Sequence, residues 1–223
     1  EFRRVLFRSG IDVALFGNRL LLSANYYNSR TTDMLYLYNV SVPPFTYNTL
    51  LANIGSMRNW GTEIAIGITP LKTKDMELNI NANITFQRNK LLSLSGMYNG
   101  EMLSAPEYKS LAGLDGAGFH GGYNHIVYQM VGQPLGVFYL PHSTGLESDG
   151  NGGYTYGIAD LNGGGVSLED GEDRYVAGQA VPKTILGSNI SFRYKRFDLS
   201  LQVNGAFGHK IYNGTSLTYM NMN

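Results

Sequence analysis

Residues 76–87 read MELNINANITFQ, and in this stretch apolar and polar side chains alternate without a break. The apolar set runs from Met76 to Phe86 and the polar set from Glu77 to Gln87, as expected for a β-strand with two different faces. At about 3.3 Å per residue this strand would be about 40 Å long, whereas strands in soluble domains usually have about 5–6 residues. Its length favours a strand that crosses a membrane, for which about 9–11 residues suffice.

A second stretch, residues 197–208, repeats this pattern with only a slight weakening at its end. Each of the two stretches follows another alternating segment and a short turn, and this arrangement allows antiparallel pairing with little loop-closure cost. A third pair of such segments lies near the start of the chain. The three predicted hairpins are 11–28 with a turn at Gly17-Asn18, 62–87 with a turn at 72–75, and 186–208 with a turn at 195–196.

Long segments rich in Gly, Asn, Ser and Tyr separate these hairpins, and we predict that they are loops. The three segments are residues 29–59, 89–124 and 143–182. A fourth hairpin is predicted from residues 125–131 and 135–142, which would bring the number of strands to about eight. Tight turns that alternate with long loops are typical of outer-membrane barrels, in which the long loops lie outside the cell.

The composition agrees with an all-β chain. The 223 residues are 43% hydrophobic and 15% charged, and they include 28 glycines and 16 tyrosines. Lys plus Arg equals Asp plus Glu at 17 each, so there is no net field to attract nucleic acid. The absence of cysteine excludes disulfides and thiol chemistry. No apolar run reaches the roughly 18 residues of a membrane helix, so any membrane insertion must use strands.

The polar faces of the predicted strands carry Asn, Ser, Thr, Gln and Glu, which predicts a lumen that holds water or a polar plug. Eight strands would enclose little more than their own side chains. The fold class predicted here is therefore an antiparallel transmembrane β-barrel of which this chain supplies one arc.

The first nine residues are treated separately. Residues 1–9 read EFRRVLFRS and match one translated frame of a widely used sequencing-library adapter. We therefore interpret them as non-native. Residues 10–223 are then expected to be part of a barrel that is truncated at both ends.

Five motifs occur along the chain in a fixed order. They are 53–63 (NIGSMRNWGTE), 132–139 (GQPLGVFY), Asp173-Arg174, 194–200 (YKRFDLS) and 208–213 (GHKIYN). This ordered set resembles the SusC/RagA-type TonB-dependent transporters. The resemblance implies a 22-stranded barrel with an N-terminal plug in the outer-membrane lipid of a Gram-negative bacterium. It also implies energy supplied through TonB, a SusD-like lipoprotein as partner, and oligosaccharides or peptides as cargo.

No catalytic constellation accompanies these motifs, and we expect that the protein is not an enzyme. The four histidines are scattered, without a nucleophile elbow or a His-Glu metal spacing. A β-rich adhesion or binding module is the alternative function, although it should show shorter strands and polar outer faces. An outer-membrane hydrolase would need a paired His and nucleophile. A passive porin is the remaining transport alternative.

Loop tyrosines are the candidate substrate-binding residues, because aromatic rings stack on sugars. They are Tyr36, Tyr38, Tyr47 and Tyr123. The alternative, which we favour, is that they pack one loop against another. No cluster of charge in the loops selects a charged substrate, so the choice between glycan and peptide stays open.

One glycine-rich stretch in residues 149–174 partly matches a calcium-binding loop, and a structural calcium is the cofactor weighed for this chain. Asp160 and Asn162 would supply oxygen ligands at the first and third positions, with a glycine at the sixth. Gly164 replaces the usual fifth ligand, while Asp170 and Asp173 lie close to where the last carboxylate should be. A glycine-rich exposed turn without metal is the alternative.

Overall fold

The computed structural model describes residues 3–106, 108–113, 125–167 and 172–213. Every regular element in these residues is a β-strand. In chain order they are β1 (Arg3–Leu15), β2 (Leu20–Asn39), β3 (Thr49–Lys72), β4 (Met76–Ser93), β5 (Gly96–Tyr98), β6 (Glu101–Leu103), β7 (Tyr108–Gly113), β8 (His125–Met130), β9 (Val137–Pro141), β10 (Ser143–Ser148), β11 (Tyr154–Ile158), β12 (Arg174–Gln179), β13 (Thr184–Tyr194) and β14 (Phe197–Phe207). Among the described residues, no helix is long and apolar enough to span a membrane.

The chain divides into two compact units, which are described separately. The first is built on a six-stranded antiparallel sheet with the order β1-β2-β3-β4-β13-β14, to which the small β5-β6 hairpin adds. The second contains a four-stranded sheet with the order β12-β9-β8-β7 and the β10-β11 hairpin. In the six-stranded sheet β1 and β14 are the two edges, so these strands form an open arc.

The three hairpins predicted from the sequence are confirmed. β1 pairs with β2, β3 with β4, and β13 with β14 in antiparallel register. Gly17 and Asn18 have φ values of 61° and 68°, in the left-handed region that a tight turn of this kind requires. β13 also pairs with β4, although a long connection separates these two strands along the chain.

The register divides the six-stranded sheet into two faces. Residues that lie opposite one another across neighbouring strands are apolar on one face, as Ile64, Ile84 and Leu186 illustrate. The outer face comprises Ile11, Val13, Leu22, Ala24, Ile64, Ile66, Ala82, Ile84, Leu186, Ser188, Leu201 and Val203. The lumen face comprises Asp12, Ala14, Leu21, Ser23, Ala65, Gly67, Asn81, Asn83, Gly187, Asn189, Gln202 and Asn204.

Apolar side chains on the outer face have no protein packed over them in the described part of the chain. Leu199 is 67% exposed, Leu201 53% and Phe207 55%. The buried core of this unit is instead small, and it gathers around Tyr38, Ala52 and Leu103. A sheet with this distribution is stable only where another apolar medium covers it, which is the situation of a barrel wall in lipid.

The prediction of a loop over residues 29–59 is wrong. β2 continues to Asn39 and β3 begins at Thr49, so only residues 40–48 connect them. The register shifts between Thr31 and Met34, where Asp33 takes a φ of 60°. This bulge changes which residues face each way, and the period-2 pattern that marks a strand is lost from the sequence.

The fourth predicted hairpin is confirmed as a hairpin, but the six-stranded sheet does not include it, so that sheet has six strands and not the eight predicted. β8 and β9 pair with each other, but they lie in the four-stranded sheet of the second unit. Short strands also occur where loops were predicted over 89–124 and 143–182, namely β5–β7 and β10–β12. The three-residue strands β5 and β6 are too short to give a period-2 signal, which needs at least about four residues.

The origin of residues 1–9 stays a prediction. In the structure β1 begins at Arg3 and its first residues continue the pairing with β2 in unbroken register.

Candidate functional site

The outer face ends in aromatic side chains at two levels. Tyr194 and Phe197 lie opposite each other near the tight turns, and Phe86 and Phe207 lie level with Thr184 near the long connections. Met76 pairs with Tyr194, so the two levels are ten residues apart on β4. Ten residues span about 34 Å along a strand, or about 25 Å along the barrel axis at the usual tilt. This height matches the apolar band of outer-membrane barrels.

The lumen face forms a concave groove with a volume of about 1100 Å³, and all six strands of the arc contribute to it. Beside the hydroxyls of Ser23 and Ser188, its polar groups are amides and one carboxylate, which present hydrogen-bond donors and acceptors without a strong charge of either sign. They are Asp12, Asn81, Asn83, Asn189, Gln202 and Asn204. The groove is the candidate functional site of this chain, because its groups suit a polar and uncharged solute or a polar plug.

Glycine residues on the lumen face leave space above the sheet for the amide side chains of neighbouring strands. Asn83 lies over Gly187, and an ideal Cβ on Gly187 would collide with its amide oxygen. A Cβ on Gly67 would approach the amide oxygen of Asn81 to 3.1 Å. The amide side chains can therefore lie along the sheet and leave the centre of the lumen open.

Arg193 and Glu77 form an ion pair at the turn end of the lumen face. Arg193 donates to Glu77 at 2.8 Å, and Asn79 donates to the other carboxylate oxygen of Glu77 at 3.2 Å. The Arg193 side chain is 53% exposed, so this pair contributes little to stability but fixes the positions of the side chains. The residues that the structure describes contain no group of three or more His, Asp or Glu that could hold a metal ion.

The candidate tyrosines occupy different environments. Tyr38 is 1% exposed within the core around Ala52 and Leu103, and its ring meets that of Tyr36 edge-on at 5.2 Å. Tyr47 lies in the connection between β2 and β3 and is 74% exposed. Tyr123 lies outside the described residues. The burial of Tyr38 favours a packing role, whereas Tyr47 presents its ring to solvent.

The carboxylates of the proposed calcium loop bind backbone amides. Asp160 accepts hydrogen bonds from the N–H groups of Asn162, Gly163 and Gly165. Asp173 is buried and accepts from Ser167 and Leu161 at 2.7 and 2.6 Å.

These two backbone hydrogen bonds, from Ser167 first and then Leu161, lower the pKa of the Asp173 carboxyl. Asp173 thus ties residues 161 and 167 of its loop together. Asp170 lies outside the described residues, and calcium binding by this loop stays a prediction.

A cluster of aromatic rings around Arg174 was not predicted as a cluster from the sequence. Arg174 donates to the hydroxyl of Tyr128 and to the carbonyl of His125, both at 3.3 Å. Tyr128 and Tyr139 meet edge-on at 5.4 Å, and burial is the main cause that raises the pKa of Tyr139. The cluster stabilises the second unit. Sequence reasoning missed it because its members are far apart along the chain.

The geometry thus defines an arc of a membrane barrel with a polar lumen, and comparison with known proteins names the family. The chain matches the family described as TonB dependent receptor-like, beta-barrel over residues 8–206. It therefore belongs to this family, as predicted from the ordered motifs.

Two curated relatives are similar over most of this chain. TonB-dependent receptor P3 of Formosa agariphila is 30% identical over 221 residues, which cover 93% of this chain and 20% of that protein. TonB-dependent receptor SusC of Bacteroides thetaiotaomicron is 25% identical, covering 92% of this chain and 19% of that protein. The chain thus spans about a fifth of the length of these relatives.

A solved structure has the same fold. The structure titled as the RagAB peptide transporter aligns with a TM-score of 0.61 at 20% identity, covering 93% of this chain and 21% of that one. This likeness confirms the antiparallel all-β barrel fold.

Proposed function

We propose that this chain is part of the membrane barrel of an energised outer-membrane importer for oligosaccharides or peptides. The observation that carries the proposal is that one sheet has an apolar face and, on its other side, a face with polar side chains. The outer face is apolar over about 25 Å, and the lumen face is a groove of about 1100 Å³ that carries several amide side chains. Membership of the TonB-dependent receptor family supports an importer over an adhesion module or a hydrolase.

The whole protein would act with two partners. A TonB-type protein would supply the energy for transport, because the chain belongs to the TonB-dependent receptor family. A SusD-like lipoprotein would cover the side of the long connections. The relatives named SusC and RagAB support this arrangement.

Energised import is tested in cells that lack the gene and carry the full-length copy. Uptake of a fluorescent oligosaccharide and of a fluorescent peptide should depend on the gene and stop when a protonophore collapses the proton gradient. Uptake that survives the protonophore would identify a passive porin. Uptake of only one probe would name the class of cargo.

Direct contact with cargo is proposed for Tyr47, because its ring is the exposed one among the described candidates. Tyr47→Phe keeps a ring that can stack, whereas Tyr47→Ala removes it. We expect a several-fold higher half-saturating concentration for Tyr47→Ala and little change for Tyr47→Phe. Equal uptake by both variants would exclude stacking on this residue.

A further inference from the structure

The outer face carries a group of basic side chains beyond the aromatic level on the side of the long connections. Arg30 pairs in register with Arg58, and Arg58 pairs with Lys90, so three cations lie side by side on three adjacent strands. Arg88 lies one level closer to the apolar band, opposite Trp60. We call Arg30, Arg58, Arg88 and Lys90 the basic belt.

Like charges directly opposite each other on neighbouring strands destabilise a sheet. In the described part of the chain, the ion pairs that occur are made by other residues, and none involves the basic belt. Asp33 lies in the bulge between Thr31 and Met34, and its carboxylate pairs with Arg3 at 3.7 Å. The repulsion within the belt is therefore uncompensated by the described residues and calls for an anion from outside them.

The central arginine is held in place for such an anion. The Nε of Arg58 donates to the side-chain oxygen of Asn28 at 2.9 Å, and its guanidinium lies over the ring of Trp60 at 5.0 Å. These contacts orient the guanidinium while leaving its two terminal nitrogens for a bidentate partner. Planar, oriented guanidinium groups are well suited to phosphate.

The height of the belt fits the headgroup layer of a membrane. Arg88 and Lys90 lie two and four residues beyond Phe86 on β4, which corresponds to about 5 and 10 Å along the barrel axis. The polar layer on each side of a bilayer is about 5–8 Å thick, so Arg88 lies within it, and the long side chains of Arg30, Arg58 and Lys90 can reach back into it from its outer edge. The belt also shares its face with the apolar band, so it points toward lipid.

From these observations we propose that the basic belt binds the phosphate groups of anionic lipid headgroups in the outer leaflet. Charge complementarity, the oriented Arg58 and the depth of the belt identify this occupant. A lipid tail resting on the apolar band would hold the phosphate at the right height, which a free phosphate ion could not achieve. The proposal rests on the barrel placement argued under the proposed function.

The test uses the full-length protein, purified in detergent and titrated with diphosphorylated lipid A. The variant replaces the three aligned cations with Gln (Arg30→Gln, Arg58→Gln, Lys90→Gln). A matched control removes the same charge on the tight-turn side (Lys72→Gln, Lys74→Gln, Arg196→Gln). We expect the belt variant to bind lipid A at least about tenfold more weakly than wild type, and the control variant to bind it like wild type.

The unfolding temperature gives a second readout, and the difference between wild type and the belt variant should change sign when anionic lipid is added. Without anionic lipid the belt variant should be as stable as wild type or more stable, because a repulsion has been removed. With diphosphorylated lipid A in phosphatidylcholine vesicles, wild type should unfold at the higher temperature. Arg58→Lys keeps the charge but loses the planar fork, and it should show a smaller loss of binding than the triple variant.

Three outcomes would overturn the proposal. They are equal lipid A binding by wild type and the belt variant, equal binding of dephosphorylated lipid A, and full stabilisation by inorganic phosphate alone. Heat-modifiable migration of the same preparations tests the barrel independently. A protein that migrates as a folded barrel but fails the lipid test contradicts only the basic belt, whereas loss of heat-modifiable migration contradicts the proposed function.

Discussion

The six-stranded sheet of the first unit and the four-stranded sheet of the second unit use apolar residues in opposite ways. In the first, strands of 11 to 24 residues expose Leu, Ile and Phe side chains along one whole face. In the second, strands of five or six residues bury Val137, Ile126 and Phe138. One chain therefore uses two kinds of apolar burial. The apolar face of the first sheet needs lipid to cover it, whereas the apolar side chains of the second unit are covered by protein.

The strongest test of this comparison places a charge on either face of β3. Ile66→Arg would put a cation in the middle of the apolar band, at an expected cost of about 2–4 kcal/mol in the free energy of unfolding. Ala65→Arg is the matched control, because the next residue faces the polar groove. Urea-dependent folding of the full-length protein into phosphatidylcholine vesicles measures both. Equal costs for the two variants would contradict the assignment of the faces.

A second test concerns the close packing on the lumen face. An ideal Cβ on Gly61 would lie 2.7 Å from the hydroxyl oxygen of Tyr27, and it would also meet the carbonyl oxygen of Phe86. Gly61→Ala should therefore cost about 1–3 kcal/mol of unfolding free energy.

Gly67→Ala is its control on the same strand, because its nearest contact is at 3.1 Å with the movable side chain of Asn81. The same urea titration should show a clearly smaller effect for this variant. A larger loss for Gly67→Ala than for Gly61→Ala would be inconsistent with the tyrosine lying over Gly61.

The third test concerns the loop around Asp173, which belongs to the second unit and is stabilised by hydrogen bonds within the protein. Because the folded loop lowers the pKa of Asp173, its carboxylate stabilises the loop above the unfolded pKa, and this stabilisation is lost as pH falls through the folded pKa. Asp173→Asn should open the loop at neutral pH, since the amide has one acceptor oxygen for two N–H donors. Hydrogen exchange of residues 161–167 would detect the opening.

The control for this loop is Glu172→Gln, a neutralisation at the adjacent exposed residue. It should leave hydrogen exchange at neutral pH unchanged. Protection that persists in Asp173→Asn would show that the two backbone hydrogen bonds are dispensable.

The smallest effect is expected at the turn end of the lumen face. Arg193→Gln removes the ion pair with Glu77, and because the pair is exposed the free energy of unfolding should change by about 1 kcal/mol or less. High salt should reduce the difference from wild type further. A loss as large as that for Ile66→Arg would mean that this end of the lumen is closed to water.

The sequence was sufficient where each residue's environment follows from its neighbours along the chain. The two faces of residues 76–87 and the Gly17-Asn18 turn are local properties, and both predictions were confirmed. The strand beyond Asp33 was missed because a bulge interrupts the alternation. The cluster around Arg174 and Tyr128 depends on pairing over a long separation, which no local pattern contains.

The candidate site divides in the same way. The amides of the groove could be predicted from alternation alone, whereas the burial of Tyr38 could not, because the residues that cover it come from distant strands. The basic belt was also hidden in the sequence. Arg30, Arg58 and Lys90 are separated by about 30 residues each, and only the register brings them side by side.

The direct pairing of β4 with β13 has a consequence for how this gene can change. Residues 94–183 separate these two neighbouring strands along the chain, and closing a flexible loop of that length would cost about 4 kcal/mol of chain entropy. Since this entropy grows only with the logarithm of length, doubling the segment would add about 0.6 kcal/mol. Insertions, deletions and whole replacements can therefore accumulate there while the membrane wall keeps its register, so that recognition and anchorage can evolve separately.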